Sequence, residues 1–254
     1  MARYQMILAY DGTDFVGSQR QANPRTVQGE LEKALRKLGW SGNSVLMAGR
    51  TDTGVHAAGQ VAAFDLEWAH SLEDLRNALN ANLPLDMATR EVRLAPEKFH
   101  PRFDAGFRRY RYRLFCAPTR NPLRERFAWR VWPAVKVAEL APLPQIFIGT
   151  HDFAAFGSPP RSHASTVRTI FLAGWRQVED ECWFEVQADA FLYHMVRRLV
   201  GTQVKVGQGK LPAESLSRAL ARQAKIPIGL APANGLTLLE VGYSSFTDES
   251  SGQN

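Results

Sequence analysis

One carboxylate in a glycine-flanked loop has surroundings that suit catalysis. The run Gly49-Arg50-Thr51-Asp52-Thr53-Gly54-Val55-His56 follows an apolar segment and places Arg50 two residues before Asp52. Glycines let a loop approach a ligand closely, and a neighbouring guanidinium favours the ionised carboxylate that a nucleophile or a base requires. On spacing alone, an aspartate that caps a turn and pairs with Arg50 is the simpler interpretation.

Other kinds of catalytic site are poorly supported. The six histidines are scattered, the two cysteines are far apart, and no His-Glu-x-x-His run occurs, so no metal site is predicted. The run Gly207-Gln208-Gly209-Lys210 is followed by Leu211 rather than Ser or Thr, which argues against a phosphate-binding loop. A Gly-x-Ser-x-Gly nucleophile elbow is also absent from the sequence.

A segment rich in arginine indicates a polyanionic partner. Residues 90–130 contain twelve basic and four acidic residues, a net charge of +8, whereas the whole chain carries +6 with a pI near 9.5. Within this segment, residues 107–116 alternate like a strand, with arginines on one face and tyrosines on the other: Arg109, Arg111 and Arg113 against Tyr110 and Tyr112. Arginine suits phosphate and tyrosine stacks on bases, so nucleic acid is one interpretation. A solubilising face without a partner is the other.

The elements that must position these residues alternate between strands and helices. Residues 3–10 have the period of a strand, and Thr26 can cap a helix whose apolar stripe ends at Gly39. A strand is predicted over residues 44–48, directly before the Asp52 loop. Further helices are predicted over residues 137–148 and 192–206.

This order of elements predicts the fold class and its division. We expect an α+β protein of two α/β subdomains, with mixed, mostly antiparallel sheets, helices packed on one face and a central basic cleft. The N-terminal subdomain, residues 1–104, carries the Asp52 loop. The C-terminal subdomain covers residues 105–245, and a polar tail covers residues 246–254.

Composition limits the compartment. The chain has 254 residues, only two cysteines, and no charged N-terminal segment followed by an apolar run and a cleavage site. Its apolar runs fall well short of the roughly 20 residues that a membrane span needs. We therefore expect a cytoplasmic protein with free thiols and no membrane association.

Seven blocks, taken in order, resemble those of the TruA family of tRNA pseudouridine synthases. The family's opening strand and loop, first helix, catalytic loop and four later blocks have counterparts here: Tyr10-Asp11-Gly12-Thr13 with Gly17 and Gln19, Thr26 to Glu32, Gly49 to Ala57, Arg108 to Tyr112, Gly149 to Phe153, Phe191 to Arg197, and Gly235 to Leu238. The resemblance runs from residue 4 to about residue 243. One departure is Ser18, where the family usually has an aromatic residue.

The resemblance implies an isomerase that converts uridine to pseudouridine at positions 38, 39 and 40 of the tRNA anticodon stem-loop, without a metal or cofactor. Asp52 is the implied catalytic aspartate. It could add to C6 of the base, attack C1′ or remove the 2′ proton, and the sequence does not choose among these. The resemblance also implies a homodimer in which one tRNA contacts both subunits.

Roles for other residues follow from the same resemblance. Arg197 is the implied ion-pair partner of Asp52, and Tyr110 is the implied substrate-binding tyrosine that stacks on the uracil and is a candidate proton relay. Arg50 is expected to bind RNA or to help displace the target base, and His56 is a further expected substrate contact. Leu236 or Leu238 is expected either to line the base pocket or to pack in the core. Arg109 and Arg111, on the arginine face of the predicted strand, are expected to bind the RNA.

Two rival functions stay open at the level of sequence. A non-catalytic RNA-binding protein would keep the basic segment and the tyrosine face without chemistry. A hydrolase of glycosidic bonds would need a second carboxylate facing Asp52, for which Asp104 and Asp152 are the candidates.

Overall fold

A computed structural model describes residues 1–159, 164–222 and 229–243. The strands are β1 (Ala2–Tyr10), β2 (Leu46–Met47), β3 (His56–Leu66), β4 (Met87–Leu94), β5 (Ala105–Cys116), β6 (Trp129–Val131), β7 (Gly149–Asp152), β8 (Val167–Val178), β9 (Glu181–Ala188) and β10 (Leu236–Tyr243). The α-helices are α1 (Val27–Lys37), α2 (Leu72–Asn82), α3 (Val137–Leu140), α4 (Met195–Gly207) and α5 (Glu214–Leu220), and 3-10 turns cover Leu143–Phe147 and Ala233–Gly235.

One mixed sheet runs through both halves of the chain. Its main path is β4-β1-β3-β10-β5-β9-β8-β7, with β2 paired to β3 and β6 paired to β5. All described pairs are antiparallel except β10 with β3 and β5 with β6. The predicted α+β class with a mostly antiparallel sheet is confirmed.

Strand β10 joins the two halves. Leu238 pairs with Ala57 of β3 on one side and with Tyr110 of β5 on the other. A strand from the end of the chain therefore links the Asp52 half to the arginine-rich half. The division at residue 104 stays a prediction, and the predicted tail, residues 246–254, lies outside the described residues.

The alternation predicted for β5 separates two faces of the sheet. Tyr112 and Leu114 are fully buried on what we call the inner face, whereas Arg109, Arg111 and Arg113 are partly exposed on the outer face. Residues opposite each other in an antiparallel pair point to the same face of the sheet. The apolar residues that β9 places opposite Tyr112 and Leu114 therefore continue the inner face. Trp175 of β8 lies on this inner face and donates to Gln203 of α4 at 2.9 Å, which places α4 over it.

Helix α1 forms as its sequence predicts. The side chain of Thr26 accepts a hydrogen bond from the backbone of Gly29, as an N-cap residue should. Val27, Leu31 and Leu35 recur at helical spacing and are at most 1% exposed. Burial of this stripe anchors the segment that precedes the Asp52 loop.

Two helix predictions differ from the structure. The helix expected over residues 137–148 is only α3 followed by a 3-10 turn, since Pro142 and Pro144 cannot donate the backbone hydrogen bonds that would continue it. The helix expected from residue 192 begins at Met195. His194 before it has a left-handed backbone with φ of 64°, which interrupts the helical path.

Candidate active site

Asp52 meets the side chains of Arg197 and His194, which lie more than 140 residues further along the chain. Its Oδ2 atom accepts a hydrogen bond from Arg197 Nη1 at 3.0 Å and lies 3.4 Å from His194 Nε2. The side chains of Asp52 and Arg197 are 17% and 13% exposed. This arrangement provides a sheltered carboxylate, held by a charge-assisted hydrogen bond, that is still open to a ligand.

The Arg197 guanidinium is itself fixed in place. Its Nε donates to the carbonyl of Ala231 at 2.8 Å, and the backbone N–H of Ala231 donates to the carbonyl of Arg197 at 3.1 Å. One guanidinium edge is therefore used by the protein, which leaves Nη1 aimed at Asp52. The structure therefore brings Arg197 together with Asp52.

The loop that carries Asp52 is tied to the first loop of the chain through Thr51. The Thr51 hydroxyl hydrogen-bonds the buried Tyr10 hydroxyl at 2.8 Å. The Thr51 N–H donates to the Ser18 hydroxyl at 2.8 Å, and the Ser18 N–H donates back to the Thr51 carbonyl at 3.1 Å. Ser18 is 1% exposed. The residue that departs from the family pattern therefore holds the loop next to Asp52.

Tyr110 and Leu238 form an apolar wall on the inner face. They are direct partners in the β5–β10 register, with exposures of 9% and 1%. The Tyr110 ring contacts Phe191 edge-on, with centroids 5.1 Å apart. Burial raises the pKa of Tyr110 far above its ordinary value, and the charges of Tyr10 and Asp52 raise it further. The phenol stays protonated at neutral pH, which favours contact with the uracil over proton removal.

His56 is held inside the protein. It is 4% exposed, its Nδ1 lies 3.0 Å from the N–H of Gly12, and its Nε2 lies 3.2 Å from the carbonyl of Asn234. Burial lowers the pKa of His56, although the nearby Asp11 carboxylate opposes this. Both ring nitrogens are occupied by protein groups, so the geometry supports a structural role in joining three loops.

The predicted arginines fall into two places. Arg50 is exposed two residues before Asp52, and no hydrogen bond joins its guanidinium to another residue in the described ranges. Arg109 and Arg111 lie on the outer face, opposite Tyr110, and both donate to Glu185 at 2.7 to 2.9 Å. The structure therefore does not bring Arg109 and Arg111 together with Asp52.

A paired-carboxylate site is not formed by the candidates from the sequence. Asp104 accepts from the backbone of His100, and Asp152 accepts from Thr166 and pairs with Arg222. The carboxylate of Asp52 contacts Arg197 and His194 instead. Across the described ranges, no three His, Cys, Asp or Glu side chains cluster as metal ligands would, and no helix is long and apolar enough to span a bilayer.

Sequence reasoning missed three features of this site. Ser18 and Tyr10 support the loop from behind, and His194 touches Asp52. His194 and Arg197 are three residues apart in the helix expected from residue 192, and this spacing predicts that they lie on one side of it. That spacing was the available signal that His194 also lies near Asp52. Nothing in the local pattern around Ser18 indicates its contact with Thr51, which is 33 residues away.

Comparisons with known proteins match most of this chain to one family. The family described as tRNA pseudouridine synthase matches residues 6–104 and 144–244. A tRNA pseudouridine synthase A from Chloroflexus aurantiacus is 42% identical over 251 residues, which covers 96% of this chain and 89% of that protein. The tRNA pseudouridine synthase A of Syntrophotalea carbinolica is 38% identical over 245 residues, covering 96% of this chain and 97% of that one. The tRNA pseudouridine synthase A 1 of Bacillus cereus is 40% identical over 248 residues, covering 96% and 100%.

Solved structures give a weaker similarity. A chain from the structure titled "Crystal Structure of a Cbf5-Nop10-Gar1 Complex" aligns with a TM-score of 0.42 and 12% identity, covering 93% of this chain and 49% of that one.

The class follows from the family match, which spans well over half of the chain: this is an isomerase that converts uridine in tRNA to pseudouridine. Within that class, the chain belongs to the TruA family of tRNA pseudouridine synthases.

Proposed function

We propose that Asp52 is the catalytic group of this isomerase and that its substrates are uridines 38, 39 and 40 of the anticodon stem-loop. The observation that carries the proposal is the 3.0 Å contact between Asp52 and Arg197, two residues 145 positions apart in the chain. A fixed guanidinium stabilises the ionised carboxylate in a partly buried place, which is the form that chemistry at the uridine needs.

The reaction itself demands one ionised acid and a confined base. The N1–C1′ bond breaks, the uracil rotates while it is held, C5 bonds to C1′, and the proton on C5 leaves while N1 gains one. No redox change or phosphate energy enters this balance. Addition of Asp52 to C6, its attack on C1′ and its removal of the 2′ proton all begin from the carboxylate.

Tyr110 and Leu238 are proposed to hold the uracil. They line the inner face as a buried aromatic ring beside a buried aliphatic side chain, and an aromatic ring is a common stacking surface for an unpaired base. Because burial keeps the Tyr110 phenol protonated, we assign Tyr110 to binding and rotation of the base.

Access to a stem uridine requires unpairing and extrusion, at a cost of a few kcal/mol that other contacts must offset. Arg50, exposed beside Asp52, is proposed to contact the RNA or to displace the target base. We place the RNA in a basic cleft around this residue.

We further propose that the protein is a cytoplasmic homodimer. Sedimentation of the purified protein checks the dimer, and a monomer at micromolar concentration contradicts it.

Tritium release tests the role of Asp52. Unmodified tRNA carrying tritium at uridine C5 is incubated with the parent, with Asp52→Asn and with Arg197→Ala. We expect release by the parent and none by Asp52→Asn. Arg197→Ala should lower the rate by about two to four orders of magnitude, because losing one partner of a buried ion pair costs about 3 to 5 kcal/mol and about 1.4 kcal/mol is a factor of ten in rate.

Two controls make this experiment specific. Asp65→Asn removes a carboxylate near the far end of β3 that pairs with Arg3 instead, and Arg76→Ala removes a surface guanidinium of α2 that pairs with Glu73. Both should release tritium at close to the parent rate when tRNA is saturating. Release by Asp52→Asn at the parent rate contradicts the proposal, and free uracil among the products would indicate hydrolysis instead.

A further inference from the structure

An exposed aromatic side chain lies directly beside the catalytic group. Tyr193 is 56% exposed, and its ring is tilted against the ring of His194, with centroids 3.7 Å apart and an angle of 31° between the planes. His194 in turn lies 3.4 Å from the carboxylate of Asp52. A pair of aromatic rings in contact therefore leads from Asp52 towards solvent.

The backbone holds this pair of rings in place. Tyr193 forms an isolated antiparallel bridge with Ser158, with its N–H donating to the Ser158 carbonyl at 2.9 Å. The next residue, His194, adopts a left-handed conformation that is uncommon for a residue other than glycine. Successive side chains of an extended chain point in opposite directions, so this left-handed residue is what turns the His194 ring against Tyr193. Such conformations persist where surrounding contacts enforce them, and they concentrate at functional sites.

Tyr193 differs from the tyrosines that build the core. Tyr4, Tyr10, Tyr110 and Tyr112 are at most 9% exposed. The Tyr193 ring contacts His194 on one side, and more than half of the residue's surface is exposed. The exposed side of the ring is a site for another flat ring, and aromatic side chains bind unpaired nucleobases in this way with little dependence on the identity of the base.

The surrounding charge and the reaction both favour RNA as the partner of that exposed side. Arg197 and Arg198 follow Tyr193 on α4, and Arg50 is exposed on the Asp52 loop, so a polyanion is attracted to this part of the surface. Extrusion of the target uridine also leaves the bases next to it without a stacking neighbour. The uracil itself has its own wall at Tyr110 and Leu238.

We propose that Tyr193 binds a nucleobase of the tRNA other than the uridine being isomerised, by stacking on the exposed side of its ring. Tyr193 thereby contributes to binding of the RNA strand beside Asp52. This inference rests on the assignment of Asp52 as the catalytic group. It adds a second base-binding position to the site.

The experiment measures binding of an anticodon stem-loop RNA that carries 2-aminopurine at a nucleotide flanking the target uridine or opposite it, one position per RNA. The proteins are the parent, Tyr193→Phe and Tyr193→Leu. We expect the parent and Tyr193→Phe to quench one of these probes and to bind with equal affinity. Tyr193→Leu should lose the quenching and bind roughly 5- to 150-fold more weakly, the range that removal of one base stack gives.

Trp132→Leu is the matched control. Trp132 is 54% exposed, and it follows Val131, which pairs with Cys116 six residues along β5 from Tyr110. That separation is about 20 Å at the usual rise of a strand. Loss of this exposed aromatic side chain should leave both affinity and quenching as in the parent.

The outcomes separate this inference from the role of Asp52. Absence of quenching at every probe position with the parent overturns it, as does parental affinity of Tyr193→Leu; the first result needs no variant to fold. Tritium release at saturating RNA should stay near the parent rate for Tyr193→Leu, and a slower rate with unchanged affinity also counts against a binding role. If Asp52→Asn remains active, the assignment of Asp52 fails, while the quenching still decides whether Tyr193 stacks on a base.

Discussion

At the scale of single residues, Ser18 supports the loop of Asp52, the proposed catalytic group, from a buried position. Its hydroxyl accepts from the Thr51 N–H, one residue before Asp52, and its own N–H donates back. Ser18→Ala leaves the Thr51 N–H without an acceptor in a buried place, which costs about 1 to 3 kcal/mol. We expect urea denaturation to show a loss of this size in the free energy of unfolding, together with a lower rate of pseudouridine formation.

The exposed Ser165 provides the control for Ser18. It also accepts a backbone hydrogen bond, from Val167, but at the surface, where water can replace it. Ser165→Ala should therefore change the unfolding free energy by no more than about 0.5 kcal/mol. Equal stability of the parent and Ser18→Ala would mean that the loop is held without this bond.

At the scale of elements, an ion-pair network holds three strands together on the outer face. Glu185 of β9 accepts from Arg109 and Arg111 of β5 and from Arg176 of β8, all within 2.9 Å. Partial burial alone would raise the pKa of Glu185, but these three guanidinium groups lower it to about 2. The carboxylate is therefore ionised across the range in which the protein works.

This network predicts how stability depends on acid. Because the pKa of Glu185 is lower in the folded chain than its ordinary 4.5, its stabilisation is fully present above about pH 4.5 and is lost as the pH falls through 2. Thermal unfolding of Glu185→Gln should show a lower melting temperature than the parent at pH 7 and a smaller difference at pH 3. The exposed Glu67→Gln is the control, and a difference that grows on acidification contradicts the assignment.

The elements also show how far the sequence alone could predict this protein. The Arg and Tyr alternation predicted both faces of β5, and the Thr26 cap predicted α1, because both signals are local. The helix expected over residues 137–148 was wrong because apolar periodicity was given more weight than two prolines. Leu238 lies opposite Tyr110, 128 residues earlier, and no local period encodes that pairing. Asp52 and Arg197 were assigned from the resemblance, since spacing in the sequence does not bring together residues so far apart.

At the scale of the whole molecule, the sheet separates Arg109 and Arg111 of the arginine-rich segment from Asp52, the proposed catalytic group. The segment's net charge of +8 predicted a nucleic-acid surface, yet Arg109 and Arg111 share Glu185 on the outer face. Arg50, by contrast, is exposed beside Asp52. The electrostatic field of the whole protein surface acts on a long polyanion. Only direct contacts between cationic side chains and phosphates release a fixed number of counterions from the RNA.

The salt dependence of tRNA binding therefore distinguishes these arginines. Each phosphate contact contributes about 0.9 to the slope of log K against log salt. Arg50→Ala should reduce the slope by about 1, whereas Arg111→Ala should reduce it less, because Glu185 already balances that charge and the sheet lies between Arg111 and Asp52. Titration of tRNA at several salt concentrations gives both slopes, with Lys33→Ala, whose ammonium pairs with Glu30, as a control. A reduction of the slope for Arg111→Ala as large as that for Arg50→Ala would place the outer face in contact with tRNA, as the sequence predicts for Arg109 and Arg111. One tRNA would then have to reach both faces of the sheet, or contact two subunits.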